Sequence, residues 1–437
     1  MKKKLLVIAL AFSTAGLAGA VAEQKAKQPI LPTAEQPQAA VLAARLLTKY
    51  HYKAVPLDDA LSQKIFDRYL KSLDPDKLFF TQADIDKFSA YRNDLDDAIK
   101  GADLRVPFTM FNVYMQRTSD RTAKSRKLLA QKFDYTVNES YEYDREDAPW
   151  AKTDAELDDL WRKRVKNDSL RLKLAGKDEK GIRETLEKRY DNFASRMAKL
   201  NSEDAFDIFM NAYAMTIEPH TNYLGPRASE NFDIAMKLSL EGIGAVLQTK
   251  DDYTLIREIV PGSPAALSGK LKVGDRIVGI AQGKDGQFTD VLGWRIDDVV
   301  RLVRGAKDTT VRLDVIPADV GPDGKHITVA MVRQKINMEE QAAKKSVMEV
   351  KDGAAVRRIG IITLPGFYQD FDARRRGDAD YRSATRDIER LLGELKRDKV
   401  DSVLIDLRNN GGGALDEAVE LTGLFIDKGP VVQQRNA

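Results

Sequence analysis

Ser239-Leu240-Glu241-Gly242-Ile243-Gly244-Ala245-Val246 is the stretch on which the reading of this sequence turns. A glycine-flanked apolar residue just ahead of a strand lets successive backbone N–H groups around Gly242, Ile243 and Gly244 converge, and such a nest accepts a carboxylate. The strand that starts at Ala245 and Val246 can then pair with an extended peptide, while Val299, Val300 and Val303 of a later helix wall the side-chain groove. A carboxylate at position 243 would oppose that of the ligand, so Ile243→Asp is expected to abolish binding. Gly-Ile-Gly alone is more often an ordinary turn. Its weight comes from the ordered segments behind it.

Those segments alternate short strands with turns. Ile243–Thr249 and Tyr253–Val260 read as strands joined at Asp251-Asp252, and Pro261-Gly262-Ser263-Pro264 as a turn. Ala265–Gly269 reads as a short helix closed by glycine, Arg276–Ala281 as a strand and Asp297–Val303 as an apolar-faced helix. Val311–Pro317 and His326–Arg333 complete a compact unit spanning 233–336.

Toward the N-terminus, residues 41–232 are helical in pattern. Leu61, Ile65, Phe66, Tyr69, Leu70 and Leu73 recur at three- and four-residue steps, as do Ile182, Leu186, Tyr190, Phe193, Met197 and Leu200. Asn201-Ser202-Glu203-Asp204 supplies N-caps for a further helix through Met215, and Tyr135–Lys152 reads as a loop. The aromatics of this region, Trp161 included, read as core. Residues 23–40, rich in Gln, Ala, Lys and Pro, read as a linker. Residues 1–22, with Lys2-Lys3-Lys4, an apolar run and small-x-small sites at Ala18-Gly19-Ala20 and Ala20-Val21-Ala22, read as a cleaved signal peptide. The chain is therefore expected in the periplasm, without a stable membrane span.

Toward the C-terminus, 337–437 gives a charged connector (Glu339–Lys351), a strand (Val356–Leu364), a helix (Tyr381–Leu395), a buried-type strand (Val400–Leu407) and a helix (Ala414–Phe425). This order implies an α/β domain with right-handed crossovers. Between its second strand and helix lies Asp406-Leu407-Arg408-Asn409-Asn410-Gly411-Gly412-Gly413. Three glycines before a helix can aim N–H groups at an anion, either a phosphate or the oxyanion of acyl transfer. No Gly-Lys-Ser/Thr follows to support phosphate. A tight structural turn, with Asp406 and Arg408 as an ion pair beside it, remains the alternative.

Composition narrows the chemistry. The 437 residues carry 70 Lys+Arg against 67 Asp+Glu, a net charge of +3 that gives no global reason to expect nucleic-acid binding. The absence of cysteine excludes disulfides, thiolate metal sites and a cysteine nucleophile, and three scattered histidines disfavour a multi-histidine metal site. His220, between Pro219 and Pro226, reads as structural, and no partner serine marks it as part of a triad.

Ile259-Val260-Pro261-Gly262-Ser263-Pro264-Ala265-Ala266 followed by Leu271-Lys272-Val273-Gly274-Asp275-Arg276-Ile277 resembles a PDZ domain of the circularly permuted bacterial type. With His220-Thr221-Asn222-Tyr223-Leu224 before it and the Gly411–Gly413 segment after it, the chain resembles the carboxy-terminal processing peptidases from about residue 41 to its end. Ala148-Pro149-Trp150, Arg183-Glu184-Thr185-Leu186, Asn201-Ser202-Glu203-Asp204 and Leu364-Pro365-Gly366-Phe367-Tyr368 carry the same resemblance.

The resemblance implies an α+β multidomain chain: an all-α N-terminal domain, a PDZ domain and the start of a crotonase/ClpP-like α/β protease core. It further implies a serine endopeptidase with a Ser-Lys dyad and no cofactor, in which Gly411, Gly412 or Gly413 contributes to the oxyanion hole and His220 takes no catalytic part. Its partners would be apolar C-terminal peptides of exported or misfolded proteins, and the helical domain could dock an envelope adaptor. Two departures stand out. Glu218 replaces the usual Asp, and nothing in the chain resembles the Ser-Ala-rich nucleophile motif or its lysine, Ser383-Ala384-Thr385 on a charged helix being a poor substitute. The chain is thus expected to be truncated before the dyad, with a strand edge and apolar surface uncovered. The alternative is an exported, catalytically inactive PDZ scaffold.

Overall fold

A computed structural model describes residues 28–321, 324–353 and 355–435. The signal-peptide reading of 1–22 and the end of the chain at Ala437 lie outside the described residues.

The helical part runs α1 (Gln36–Tyr50), α2 (Asp59–Leu73), α3 (Gln82–Ser89), α4 (Leu95–Lys100), α5 (Arg105–Leu129), α6 (Asp154–Leu174), α7 (Glu179–Ala198), α8 (Ser202–Ile217) and α9 (Pro226–Lys237). The apolar periodicity of α2 buries Ile65, Phe66 and Tyr69 against Phe209 and Tyr213 of α8 and Phe108 and Phe111 of α5. Each such side chain contributes ~1.5–3 kcal/mol on burial. Tyr69 keeps its hydroxyl satisfied by donating to the Pro107 carbonyl at 2.9 Å. A second core gathers Trp161 and Val165 of α6 with Leu186 and Tyr190 of α7. The expected N-cap at Asn201 closes a capping box with Asp204. One expectation shifts: α1 begins at Gln36, inside the stretch read as linker. The Gln36 amide donates to the Ser202 carbonyl (3.1 Å) and accepts from Thr33 N–H (2.9 Å), so docking on α8 orders a segment whose composition looks like linker.

Next come β1 (Ser239–Gly242), β2 (Ala245–Lys250), β3 (Tyr253–Ile259), α10 (Pro264–Ser268), β4 (Arg276–Gln282), β5 (Thr289–Asp290), α11 (Ile296–Val303), β6 (Thr310–Ile316), β7 (Ile327–Val332) and β8 (Gln334–Asn337). β2-β3-β4-β6-β7 form an antiparallel sheet, with β5 paired to β4. Outside it, β1 and β8 pair antiparallel from Ser239↔Asn337 to Gly242↔Gln334, tying together the two points where the chain enters and leaves the sheet unit.

The last part contains β9 (Lys344–Asp352), β10 (Ala355–Thr363), α12 (Phe371–Arg376), α13 (Ala384–Arg397), β11 (Ser402–Asp406) and α14 (Leu415–Thr422). Its sheet order is β11-β10-β9, with β10 and β11 parallel across the α12–α13 crossover. Ile362, Leu364, Ile388, Leu391 and Leu395 fill the core beneath it. The charged connector of the sequence reading is for the most part strand β9. Val347, Met348 and Val350 are all partly exposed, so no apolar alternation announces it, and the antiparallel backbone ladder to β10 holds it. The strand read as buried is also different: β11 lies at the sheet edge, with Val403 37% and Leu404 50% exposed, because no described strand covers its outer side.

Candidate functional site

Two loops gather the residues singled out from the sequence. In the first, Ile243 O accepts from Ala265 N–H (2.9 Å), and Gly244 O accepts from Val260 N–H (2.9 Å) and the Ser263 hydroxyl (3.2 Å). With both carbonyls held inward, the N–H groups of Ile243 and Gly244 donate to no described acceptor. Gly244 sits at φ 73°, and a Cβ there would lie 2.2 Å from Ser263 Cβ, so glycine is required on two counts. The loop delivers the chain into β2, whose outer edge is unpaired among the described strands and against which α11 packs.

The side chains around this edge correct part of the expected groove. Ile243 is 1% exposed and belongs to the core of the sheet unit, as do Val299 (0%) and Val303 (4%). Of the three valines, only Val300 is half-buried, one helical turn from the half-buried Ile296; β2, against which α11 packs, carries the half-buried Ala245, Val246 and Leu247. The helix periodicity explains this: 299 and 303 share the face turned to the sheet, and 296 and 300 share the flank beside β2. Ile243 therefore offers the loop its backbone alone, and Ile243→Asp would act by disrupting the core rather than by repelling a ligand.

In the second loop, Gly411 N–H donates to the Pro365 carbonyl (3.1 Å), and Gly412 N–H to Asn410 Oδ1 (2.7 Å), while Asn410 Nδ2 reaches Leu364 O (3.0 Å). Phe367 N–H donates to Gly412 O (2.8 Å), and Ala414 N–H to Phe367 O (2.8 Å). This short parallel bridge turns the N–H of Gly413 to the opposite side, where it meets no described acceptor. Gly413 has φ 144°, and a Cβ would fall 2.3 Å from Phe367 O, whereas Gly411 and Gly412 face open space. Arg408 grips Asp406 with both arms, Nε to Oδ1 at 2.9 Å and Nη2 to Oδ2 at 2.8 Å. That contact, helped by the Arg408 backbone N–H, holds the Asp406 carboxyl down at about 2.

The remaining candidates separate from these loops. The His220 side chain is 90% exposed and stands 3.9 Å from Glu218, the carboxylate of which accepts instead from His220 N–H (2.8 Å). Ser383 caps α13, rather than lying within it, and donates to Glu417 at 2.9 Å. Glu417 escaped the sequence reading altogether. It is fully buried on α14 and accepts from Gln369 Nε2 (2.7 Å), the Ser383 hydroxyl and Thr385 N–H (2.7 Å), fastening the glycine loop's helix to the start of α13. Its one signal is position: Glu417 and Leu421 share a helix face, so a carboxylate stands where the pattern asks for an apolar residue.

Residues 43–227 match the family model described as tail specific protease N-terminal domain, residues 233–316 match the PDZ domain, and residues 358–437 match peptidase family S41. The chain is 41% identical over 396 residues to the tail-specific protease of Haemophilus influenzae, covering 90% of this chain and 54% of that protein. It is 29% identical over 217 residues to the carboxy-terminal processing protease CtpA of Bacillus subtilis, covering 50% and 40%. The chain thus spans about half the length of these curated relatives or less. Among solved structures it is similar to a PDZ domain of the carboxy-terminal protease from Vibrio cholerae in complex with a peptide, at 55% identity, 23% coverage of this chain, 99% of that one and a TM-score of 0.22.

Proposed function

We propose that this chain, which carries a tail-specific protease N-terminal domain, a PDZ domain and S41 peptidase sequence in that order, is a serine endopeptidase of the C-terminal processing class. It acts on exported proteins in the bacterial periplasm. The observation that carries its tail-recognition part is the edge of β2, unpaired among the described strands and entered through a loop whose Ile243 and Gly244 N–H groups meet no described acceptor. Such a loop receives the terminal carboxylate, β2 adds the tail as a further strand, and the flank of α11 at Ile296 and Val300 meets its apolar side chains. The export signal read at 1–22 supports the periplasmic location. Among the described residues, no helix is long and apolar enough to cross a membrane.

For the chemistry, the resemblance assigns a Ser-Lys dyad, and no described residue is given either role. What this chain contributes is the second loop. Gly411 and Gly412 hold its shape with their N–H groups, and Gly413 presents its own as the oxyanion donor at the foot of α14, the N-terminus of which adds favourable potential. One such donor is worth about 10²–10³ in kcat.

The test is a fluorescent peptide ending in apolar residues with a free carboxylate. Saturable binding that is lost on amidation of the tail is the expected result. Equal binding of both forms would refute the tail-docking role.

A further inference from the structure

We propose that the helical domain carries a second peptide site, separate from the PDZ edge, for an acidic segment containing an aromatic residue. Between α5, α6 and α7 lies a cleft of about 560 Å³, within the size range of ligand sites. Tyr114, Trp161, Tyr190 and Phe193 line it, and Arg164, Arg171, Arg189 and Arg196 stand around it. It shares Asp168, Arg171 and Arg189 with an adjoining recess of about 290 Å³, which makes it elongated and open, suited to extended chain rather than to a compact small molecule.

Charge pairing sets Arg164, Arg171 and Arg196 apart. On α6, Arg162 and Lys166 are held by Glu139, and Lys163 by Asp159; on α5, Arg121 is held by Asp154 and Asp158. The cleft's own carboxylates are largely engaged. Asp74 accepts the N–H groups of Leu78, Phe79 and Phe80, and Asp168 accepts from the Tyr190 hydroxyl (3.2 Å) and lies 3.6 Å from Arg189. Asp76 stands exposed at the rim. Among the described residues, no carboxylate lies within ion-pair distance of Arg164, Arg171 or Arg196. Arg164 is also half-buried and stacked on the Trp161 indole, 4.8 Å from its centre. A guanidinium so placed offers its edge to a carboxylate, and the half-buried Tyr114 and Phe193, rather than the buried Trp161 and Tyr190, are left to meet an aromatic side chain. The chain's own lining shows the same chemistry: Tyr141 and Tyr143, from the acidic loop Tyr141-Glu142-Tyr143-Asp144, already border the cleft.

The probe is the blocked peptide acetyl-EYEWE-amide, which has no free C-terminal carboxylate for the PDZ edge, titrated calorimetrically into the intact chain. Saturable binding is expected to weaken about tenfold in Arg164→Gln and again in Arg164→Gln/Arg196→Gln, and to fall with added salt. Arg196 is exposed and has no ion-pair partner among the described residues, so Arg196→Gln reports on the site even if Arg164→Gln disturbs packing. Val300→Glu should leave this binding unchanged. No saturable binding, equal affinity for acetyl-QYQWQ-amide, or unchanged affinity in both arginine variants would overturn the proposal. None of these outcomes touches the tail-docking assay.

Discussion

The two glycine loops use one backbone trick in opposite proportions. Around Gly244 the carbonyls are anchored and two successive N–H groups meet no described acceptor, beside an edge that no described strand pairs. Around Gly413 two of three N–H groups are used internally and one is left. A paired set suits a full carboxylate that must be held, and a single rigid donor suits a charge that appears only during reaction. Both loops meet a wall where a Cβ cannot go, Ser263 in one case and the Phe367 backbone in the other.

The sharpest way to break the comparison is to substitute adjacent positions with opposite burial. Val299→Glu places a carboxylate in the core beside β2 and should unfold the PDZ domain, at ~4 kcal/mol or more. Val300→Glu, on the half-buried flank, should keep the fold and weaken binding of an apolar tail at least tenfold. Circular dichroism and peptide titration separate the two. If both variants fold and bind normally, α11 does not flank the groove.

In the second loop, Gly413→Ala must push against Phe367 O at an unfavourable φ and should cost ~3 kcal/mol or more in thermal unfolding. Gly411→Ala, in open space with its N–H bond intact, should stay within ~0.5 kcal/mol. Equal effects would mean that the loop does not hold Gly413 against Phe367. Glu417→Gln comes next. An amide keeps one acceptor oxygen where the carboxylate serves Gln369 on one side and Ser383 with Thr385 on the other. A loss of ~2 kcal/mol in chemical unfolding is expected, and a neutral result would remove Glu417 as the fastener of the glycine loop's helix.

Much of this was legible because it is periodic or punctuated. The α2 and α7 stripes, the Asn201–Asp204 capping box and the glycines of both loops follow from local rules. What stayed hidden depends on tertiary partners. β9 carries no apolar alternation and exists because β10 lies beside it. Gln36 starts a helix in a linker-like stretch because Ser202 receives its amide. Val299, Val300 and Val303 all read as groove wall, since the sequence gives an apolar face without saying which flank meets the sheet. For Glu417, burial is decided by Ser383 and Gln369, thirty-four and forty-eight positions away.

A third close glycine approach sharpens the contrast, because there the wall is a side chain that can carry charge. A Cβ at Gly225 would come within 2.4 Å of Asp207 Oδ1, a buried oxygen with no hydrogen-bond partner among the described residues. Burial, with Glu203 nearby, pushes the Asp207 carboxyl up to about 6. Three residues earlier Asp204 goes the other way: burial alone would raise it, but Arg295 at 2.5 Å, the Asn201 N–H and Arg227 hold it below the usual carboxylate range. The signs are opposite. Asp204 adds stability above its unfolded value near 4, and loses it as pH falls through its lower folded value. Asp207 favours the fold while protonated, so its contribution is complete below about pH 4 and is lost as pH rises through about 6. Asp207→Asn should therefore match the parent at pH 4 and exceed it above pH 6. The gain is ~1 kcal/mol once the carboxyl's partial exposure is allowed for, and urea unfolding at the two pH values reads it directly. A variant less stable than the parent at pH 7 would mean that the pull of Arg227 toward the charged form outweighs burial at Asp207.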